Sequence, residues 1–198
     1  MSSSTDGVRY PERLAASADV ALELPDEAAR AAFQSLRAKG PERFSQVTSQ
    51  LYRGGQPNAD DLERLKLLGV NTVISLRREE SKVRREEKRE TARLGLKFFN
   101  FPYYGVFGAS GRFFKKILHA MRQPDNGVVY LHCQHGRDRT SLGIALHLVI
   151  DQGWEPETAW KLAAIDYGHT PTFWYSEMRG NFDKMVRRLR AEPVAPPR

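Results

Sequence analysis

The sequence predicts an α/β fold: a single domain built on a central, mainly parallel sheet of four to five strands flanked by helices. Short apolar segments rich in β-branched residues alternate with longer segments of helical periodicity, which is typical of parallel sheets. Glycine or proline separates most of these segments. With 198 residues, 40% of them hydrophobic, the chain is long enough to bury the core of one domain.

The first half of the chain is predicted to contribute three helices and three strands. A polar lead-in, residues 1–25, precedes a helix that ends at the Gly40-Pro41 pair. Helices and strands alternate from there, and a glycine closes each of the next two helices. In chain order the predicted elements are helix 26–38, strand 50–53, helix 58–68, strand 72–76, helix 79–94 and strand 97–101.

The second half is predicted to contain one buried strand and four helices. The strand is a short apolar run that follows a turn at residues 125–127, and the next helix ends at Gly153. A proline in the first turn opens each of the last two helices. In chain order the predicted elements are helix 112–121, strand 128–131 and helices 139–152, 156–167 and 171–190. The domain therefore spans residues 26–192, and residues 193–198 form a proline-rich tail.

The candidate functional site lies where the strand 128–131 ends. Parallel α/β sheets bind their ligands beyond the carboxyl ends of the strands. This strand runs directly into the segment His132-Cys133-Gln134-His135-Gly136-Arg137-Asp138-Arg139-Thr140. A helix follows, so the segment is a phosphate loop in outline: it joins a strand end to a helix N-terminus. Such a loop directs several backbone N–H groups inward and binds anions.

The residues of this loop suit a phosphate group and an activated thiol. Gly136 allows a tight turn and a close approach of the backbone to the anion. The planar fork of Arg139 matches two phosphate oxygens. The inward N–H dipoles and the guanidinium favour a thiolate, so we expect the pKa of Cys133 to lie below its ordinary value of about 8.5. A thiolate in such a loop is a nucleophile directed at the bound group.

The pattern of His132-Cys133, five residues and then Arg139-Thr140 resembles the phosphate-binding loop of the protein tyrosine phosphatase superfamily. The resemblance is strongest to its compact dual-specificity branch. That branch includes bacterial phosphatases similar to the tyrosine-phosphatase-like phytases and to the inositol-pyrophosphate phosphatases. A second segment also resembles the opening of that branch: Leu51-Tyr52-Arg53-Gly54-Gly55-Gln56-Pro57.

The resemblance implies a cysteine-dependent phosphatase that works without a metal ion or another cofactor. Cys133 is then the nucleophile that forms a cysteinyl-phosphate, and Arg139 binds the phosphate and the transition state. Thr140 donates a hydrogen bond to the thiolate as it leaves in the second step, and His132 orients Cys133 and the loop. The residues implied to contact phosphate are Gln134, His135, Gly136, Arg137, Asp138 and Arg139.

One part of the family pattern is missing. Many relatives supply a general acid as an aspartate on the loop after the third strand, but residues 101–111 contain neither Asp nor Glu. Asp138 is the candidate replacement, because myotubularin-like and Sac-like lipid phosphatases carry a proposed acid at the matching position. Two alternatives stay open: Asp138 only braces the loop, or no acid is needed because the leaving group is a phosphoanhydride.

The charge of the chain favours a polyanionic substrate. The formal net charge is +7 and the isoelectric point is about 9.7. We rank inositol phosphates first, phosphotyrosine peptides and other phosphoproteins second, and phosphoinositide head groups third. Tyr103, Tyr104 and Phe107 are candidates either for the wall of the pocket or for the core.

Other classes of protein fit the sequence less well. Basic residues are interleaved with acidic ones, and no stretch approaches the roughly 18 apolar residues of a membrane span, so neither nucleic-acid binding nor a membrane span is predicted. No secretory signal is evident, which makes the cytoplasm the expected location. A phosphate-binding pseudophosphatase and a rhodanese-like sulfur transferase are the alternatives. The spacing from Cys133 to Arg139 favours the phosphatase, and the oligomeric state is left open.

Overall fold

The computed structural model describes residue 24 and residues 26–78, 82–103, 111–169 and 177–191. The rest of the predicted lead-in, the predicted tail and the starts of two predicted helices, 79–94 and 171–190, lie outside the described residues. The strands are β1 (Ser45–Thr48), β2 (Leu51–Gly54), β3 (Val70–Ser75), β4 (Lys97–Asn100) and β5 (Val128–His132). The α-helices are α1 (Glu27–Lys39), α2 (Ala59–Leu67), α3 (Lys82–Arg93), α4 (Gly111–Arg122), α5 (Asp138–Ile150), α6 (Pro156–Ala163) and α7 (Met178–Ala191).

These five strands form one sheet in the order β1-β2-β5-β3-β4. The pairs β2–β5, β5–β3 and β3–β4 are parallel, and β1 pairs antiparallel with β2 at the edge. The predicted α/β fold with a mainly parallel sheet is therefore confirmed. Strand β1 is missing from the predicted elements because its four residues, Ser-Gln-Val-Thr, include a single aliphatic side chain.

Helices cover both faces of the sheet, so the domain has three layers. On one face, α1 and α2 pack against Tyr52 and Tyr130. On the other face, α4 to α7 pack against Leu51 and Leu131. Neighbouring residues of β2 and β5 thus belong to different cores, because successive side chains of a strand lie on opposite faces.

Helix α5 lies inside the domain and starts at the candidate site. Its residues 138–149 are all buried. Its first turn follows β5 after only five residues, 133–137. Among the described residues, no helix has both the length and the apolar character needed to cross a lipid bilayer.

The predicted helix 156–167 is wrong in its last turn. Helix α6 ends at Ala163, and Ile165–Tyr167 form a separate 3₁₀ turn. Gly168 ends this turn in the left-handed region, with a φ of 79°. The amide of His169 then donates to the carbonyl of Ala164 over 2.9 Å, so the chain reverses here.

Candidate active site

The end of β5 brings Cys133 to the centre of the carboxyl edge of the sheet. His132, the last residue of β5, is in register with Gly54 of β2 and with Ser75 of β3, so the three strands end together. Beyond their ends, the amide of Leu76 donates to the carbonyl of His132 over 2.8 Å. The loop that starts at Cys133 therefore occupies the edge where parallel α/β sheets bind ligands.

Gly136 allows the loop to pack directly against the opening segment of the sheet. Its φ of +63° lies in the left-handed region, which favours glycine. A Cβ at this position would lie 2.5 Å from the carbonyl carbon of Gly54 and 2.7 Å from the nitrogen of Gly55. Beside this contact, the amide of Gln56 donates to the carbonyl of Gln134 over 3.0 Å. The loop and the Gly54-Gly55 pair thus meet backbone against backbone.

Arg53 holds the loop from the inside of the domain. Its Nη2 donates to the carbonyl of Gly136 (2.7 Å) and to the hydroxyl of Ser141 (2.8 Å), and its Nη1 donates to the carbonyl of Ala163 (2.6 Å). The guanidinium carbon lies 3.6 Å from the centre of the Tyr167 ring. Arg53 is fully buried, and this burial lowers its pKa to about 10. These contacts explain why a charged residue stands in the buried strand β2.

The environment of Cys133 favours a thiolate. The residue is buried, with 2% of its surface exposed, and burial alone would raise the pKa of the thiol. The charge of Arg139, the hydroxyl and amide of Thr140 and the amide of His135 outweigh this effect, so the pKa of Cys133 is lowered. The buried Thr140 hydroxyl has no oxygen or nitrogen partner among the described residues, which leaves its proton for the sulfur.

Arg139 occupies the first turn of α5 and reaches the end of β3. Its Nη1 donates to the carbonyl of Leu76 over 3.3 Å, and 9% of the residue is exposed. A guanidinium has five N–H groups, and the structure describes no other hydrogen bond of this one. The remaining N–H groups are therefore free, as far as the described residues extend, to bind the oxygens of a phosphate.

Asp138 lies at the same helix end, but its carboxylate is already engaged. Nδ1 of His169 lies 2.8 Å from one carboxylate oxygen, and Nε of Arg137 lies 3.2 Å from the other. Burial raises the pKa of a carboxyl group, but here His169 and Arg137 outweigh it, so the pKa of Asp138 is lowered. The contacts thus stabilise the anion, which accepts hydrogen bonds, over the acid, which donates a proton. They favour the bracing alternative over the general-acid alternative.

The other polar residues of the loop have partners or face solvent. Nδ1 of His135 lies 2.9 Å from the carboxylate of Glu42, and this hydrogen bond is the main cause of a lowered pKa of Glu42. Arg43 donates from Nη1 to the carbonyl of His135 over 3.0 Å. Gln134 is exposed, and Arg137 contacts Asp138. Contacts of these side chains with a phosphate group stay predictions.

Three residues of this region are absent from the predicted site: Arg53, Glu87 and His169. A signal exists for Arg53, because a charged residue inside a short apolar strand needs a buried partner. The sequence offers no such signal for Glu87, which is one of many charged residues in α3. It offers none for His169 either, because 31 positions separate this residue from Asp138. Glu87 lies against His132, as described below.

The aromatic residues that were candidates for the wall of the pocket are not part of the described site. Tyr103 is a core residue whose ring contacts those of Phe113 and Phe114, with centroids 5.8 and 5.6 Å away. Tyr104 and Phe107 lie outside the described residues. Within the described part of the chain, no group of three or more His, Cys, Asp or Glu side chains is arranged to hold a metal ion.

Solved structures of similar fold include several phosphatases. TpbA from Pseudomonas aeruginosa is 22% identical with a TM-score of 0.59, over 73% of this chain and 83% of that one. A putative phosphatase from Shewanella putrefaciens is 21% identical with a TM-score of 0.65, over 78% and 95%. The core catalytic domain of the PP-IP phosphatase SIW14 from S. cerevisiae is 20% identical with a TM-score of 0.60, over 79% and 96%. At these identities the likeness is one of fold.

Sequence comparison gives the family. The dual specificity protein phosphatase TpbA of Pseudomonas aeruginosa is 24% identical over 113 residues, which cover 57% of this chain and 49% of TpbA. The chain thus spans about half the length of the curated relatives that it matches. The model of the tyrosine phosphatase family matches residues 40–155, more than half of the chain, and this range includes both the opening segment and the loop after β5. The chain belongs to the tyrosine phosphatase family.

Proposed function

We propose that this protein is a phosphatase that hydrolyses phosphate esters through a cysteinyl-phosphate intermediate. The supporting observation is the position of Cys133: a buried thiol of lowered pKa at the centre of the sheet edge, beside Arg139 and Thr140. A thiolate is the nucleophilic form of cysteine. The neighbouring guanidinium and loop amides are the groups that bind a phosphoryl group.

The proposed reaction has two steps. In the first, the sulfur of Cys133 attacks phosphorus, an S–P bond forms and the bond between phosphorus and the leaving oxygen breaks. The leaving oxygen departs as an anion or takes a proton from solvent. Arg139 and the loop amides stabilise the charge that develops on the phosphoryl oxygens. In the second step, water attacks phosphorus and gives up a proton to solvent, so that an O–P bond forms. The S–P bond breaks, inorganic phosphate is released, and Thr140 donates a hydrogen bond to the returning thiolate.

The proposed substrate is a small molecule with several phosphate groups, such as an inositol phosphate. The net charge of +7 supports this class. The PP-IP phosphatase SIW14 has a similar fold. The lack of Asp and Glu in residues 101–111 also fits a phosphoanhydride, which needs little help from an acid.

A phosphotyrosine protein is the alternative substrate. A cysteine-to-serine variant of TpbA, which is 21% identical to this chain, has been crystallised with phosphotyrosine. TpbA is also named a dual specificity protein phosphatase. Both facts concern TpbA itself. They support a phosphotyrosine protein as the alternative substrate of this chain, which matches about half of the length of TpbA.

Initial rates of phosphate release distinguish these proposals. We expect kcat/KM to be highest on inositol hexakisphosphate, by about tenfold over a phosphotyrosine peptide, since one further charge-assisted hydrogen bond supplies about that factor. An aryl phosphate serves as a general reference. Preference for the peptide would identify a protein phosphatase instead. If no substrate released phosphate while inorganic phosphate still bound, the protein would be a phosphate-binding module.

The role of Asp138 is tested with the variant Asp138→Asn. Its contacts with His169 and Arg137 favour the anion, so we expect kcat/KM to fall by a similar factor on an alkyl and on an aryl phosphate. That factor is roughly tenfold to a hundredfold, the contribution of a hydrogen bond to a charged group. The measurement compares kcat/KM of both esters for both proteins. A loss restricted to the alkyl ester, whose leaving group needs a proton, would instead identify Asp138 as the general acid.

A further inference from the structure

His132 connects the core of the domain to the backbone of Cys133. Its side chain has no exposed surface, and its ring stacks on that of Tyr130 at 5.6 Å with an interplanar angle of 12°. Nδ1 of His132 lies 3.0 Å from the carbonyl oxygen of Cys133. A ring that donates this hydrogen bond fixes the peptide group that follows the nucleophile.

Glu87 occupies the other nitrogen of the same ring. Its carboxylate lies 2.8 Å from Nε2 of His132, and the two side chains are 1% and 0% exposed. Apart from this contact, neither carboxylate oxygen nor Nε2 has a hydrogen-bond partner among the described residues. Glu87 belongs to α3, in which its neighbours Glu86 and Lys88 are not buried. A single carboxylate of a charged helix is therefore directed into the core.

The protonation state of the pair follows from its burial. An isolated buried carboxylate is costly, whereas one that contacts an imidazolium is compensated. Burial lowers the pKa of a histidine, but the charge of Glu87 and its hydrogen bond outweigh that effect here, so the pKa of His132 is raised. When both ring nitrogens carry a proton, Nδ1 can only donate to the carbonyl of Cys133.

We propose that Glu87 is a positioning residue for the nucleophile, because it holds His132 as an imidazolium that orients Cys133 and places positive charge beside the sulfur. The inference rests on the proposed function only in treating Cys133 as the nucleophile. Among the described residues, the charged or titratable groups near the sulfur and the ring also include Tyr130 on the same strand, Arg53 of β2 and Arg139 of α5.

The ionisation of Cys133 is the direct readout, and it does not depend on phosphatase activity. Cys133 is the only cysteine of the chain, so the rate of alkylation by iodoacetamide reports on this thiol alone. We expect Glu87→Gln, which keeps the shape but removes the charge, to move the pH midpoint of alkylation upward. Glu86→Gln is the matched control, because this neighbour on α3 pairs only loosely with Lys82, at 3.7 Å, and we expect it to leave the midpoint unchanged.

We also expect Glu87→Gln to lower kcat/KM for phosphate release. Below the new midpoint, kcat/KM of Glu87→Gln is expected to fall by roughly tenfold, because a smaller fraction of Cys133 is then the nucleophilic thiolate. An unchanged midpoint in a folded Glu87→Gln protein would overturn the inference, even if activity fell. If the wild type alkylates normally but releases no phosphate, the proposed function fails while the midpoint test of Glu87 still stands.

A measurement on the wild type covers the case in which Glu87→Gln does not fold. Two-bond ¹H–¹⁵N spectra distinguish doubly protonated from neutral rings among the five histidines. We expect one ring to lose its second proton at a higher pH than the ordinary histidine pKa of about 6.5, and to shift when Cys133 is alkylated. If none of the five rings titrated above that ordinary value, the inference would be overturned.

Discussion

Cys133→Ser is expected to reduce phosphate release on the order of 10⁴-fold or more, as the loss of a nucleophile does in other enzymes. The contacts with Arg139 and Thr140 lower the pKa of a thiol whose ordinary value is already near neutrality, about 8.5. A serine hydroxyl ionises far less readily, so the same contacts do not make it a nucleophile. Single-turnover phosphate release measures the effect on the chemical step.

The serine variant is also expected to keep its affinity for phosphate. Serine is close to cysteine in size, and the groups proposed to bind phosphate, Arg139 and the loop amides, are unchanged. Calorimetric titration with inorganic phosphate therefore serves as the control for an intact loop. Turnover near the wild-type rate in Cys133→Ser would exclude Cys133 as the nucleophile, whatever the affinity.

Gly136→Ala is expected to have the second-largest effect, through the backbone. The new Cβ meets Gly54 and Gly55 at 2.5 and 2.7 Å, and backbone atoms cannot rotate away as a side chain can. The left-handed φ of +63° adds about 1–2 kcal/mol, and overpacking typically adds about 1–3 kcal/mol. A loop displaced by about 1 Å loses about 10²-fold in rate. Denaturant unfolding and kcat/KM measure the two effects.

The variant Gly153→Ala separates the cost of the left-handed φ from the cost of the close backbone contact. Gly153 also has a left-handed φ, of +72°, but a Cβ there meets nothing within 4 Å, and the residue lies beyond the far end of α5. The control is expected to lose only the conformational contribution, about 1–2 kcal/mol, and to keep its activity. Equal destabilisation of the two variants, or full activity in Gly136→Ala, would show that the close contact with Gly54 and Gly55 does not matter.

The fold and the loop follow from features that are local in the sequence. Apolar runs of four to six residues identify β3 and β5, and the capping box of Asn58 and Asp61 marks the start of α2. The loop residues 132–140 are contiguous, so their spacing alone indicates an anion site before any contact is known. The strand order depends on pairings between distant segments, which no local pattern describes. The edge strand β1 pairs with its neighbour β2, but a single aliphatic side chain gives it no apolar pattern.

The supporting contacts of the site could not be predicted in this way. A helix with many charged residues is usually solvated, and nothing local in α3 distinguishes the buried Glu87 from its neighbour Glu86, which is only half-buried. Only the tertiary packing of α3 against the sheet brings Glu87 to His132. His169 is a similar case, because the reversal of the chain at Gly168 is what places its ring on Asp138.

The presence of a single cysteine also determines how the protein responds to an oxidant. A thiolate reacts with peroxide to give a sulfenic acid, which is commonly rescued when a second thiol closes a disulfide. This chain has no second cysteine, so no internal disulfide can protect Cys133 from further oxidation. Recovery then requires a thiol from another molecule, or closure of the sulfur onto a backbone nitrogen of the loop. The loop that activates Cys133 as a nucleophile thus provides no second thiol to reduce it after oxidation.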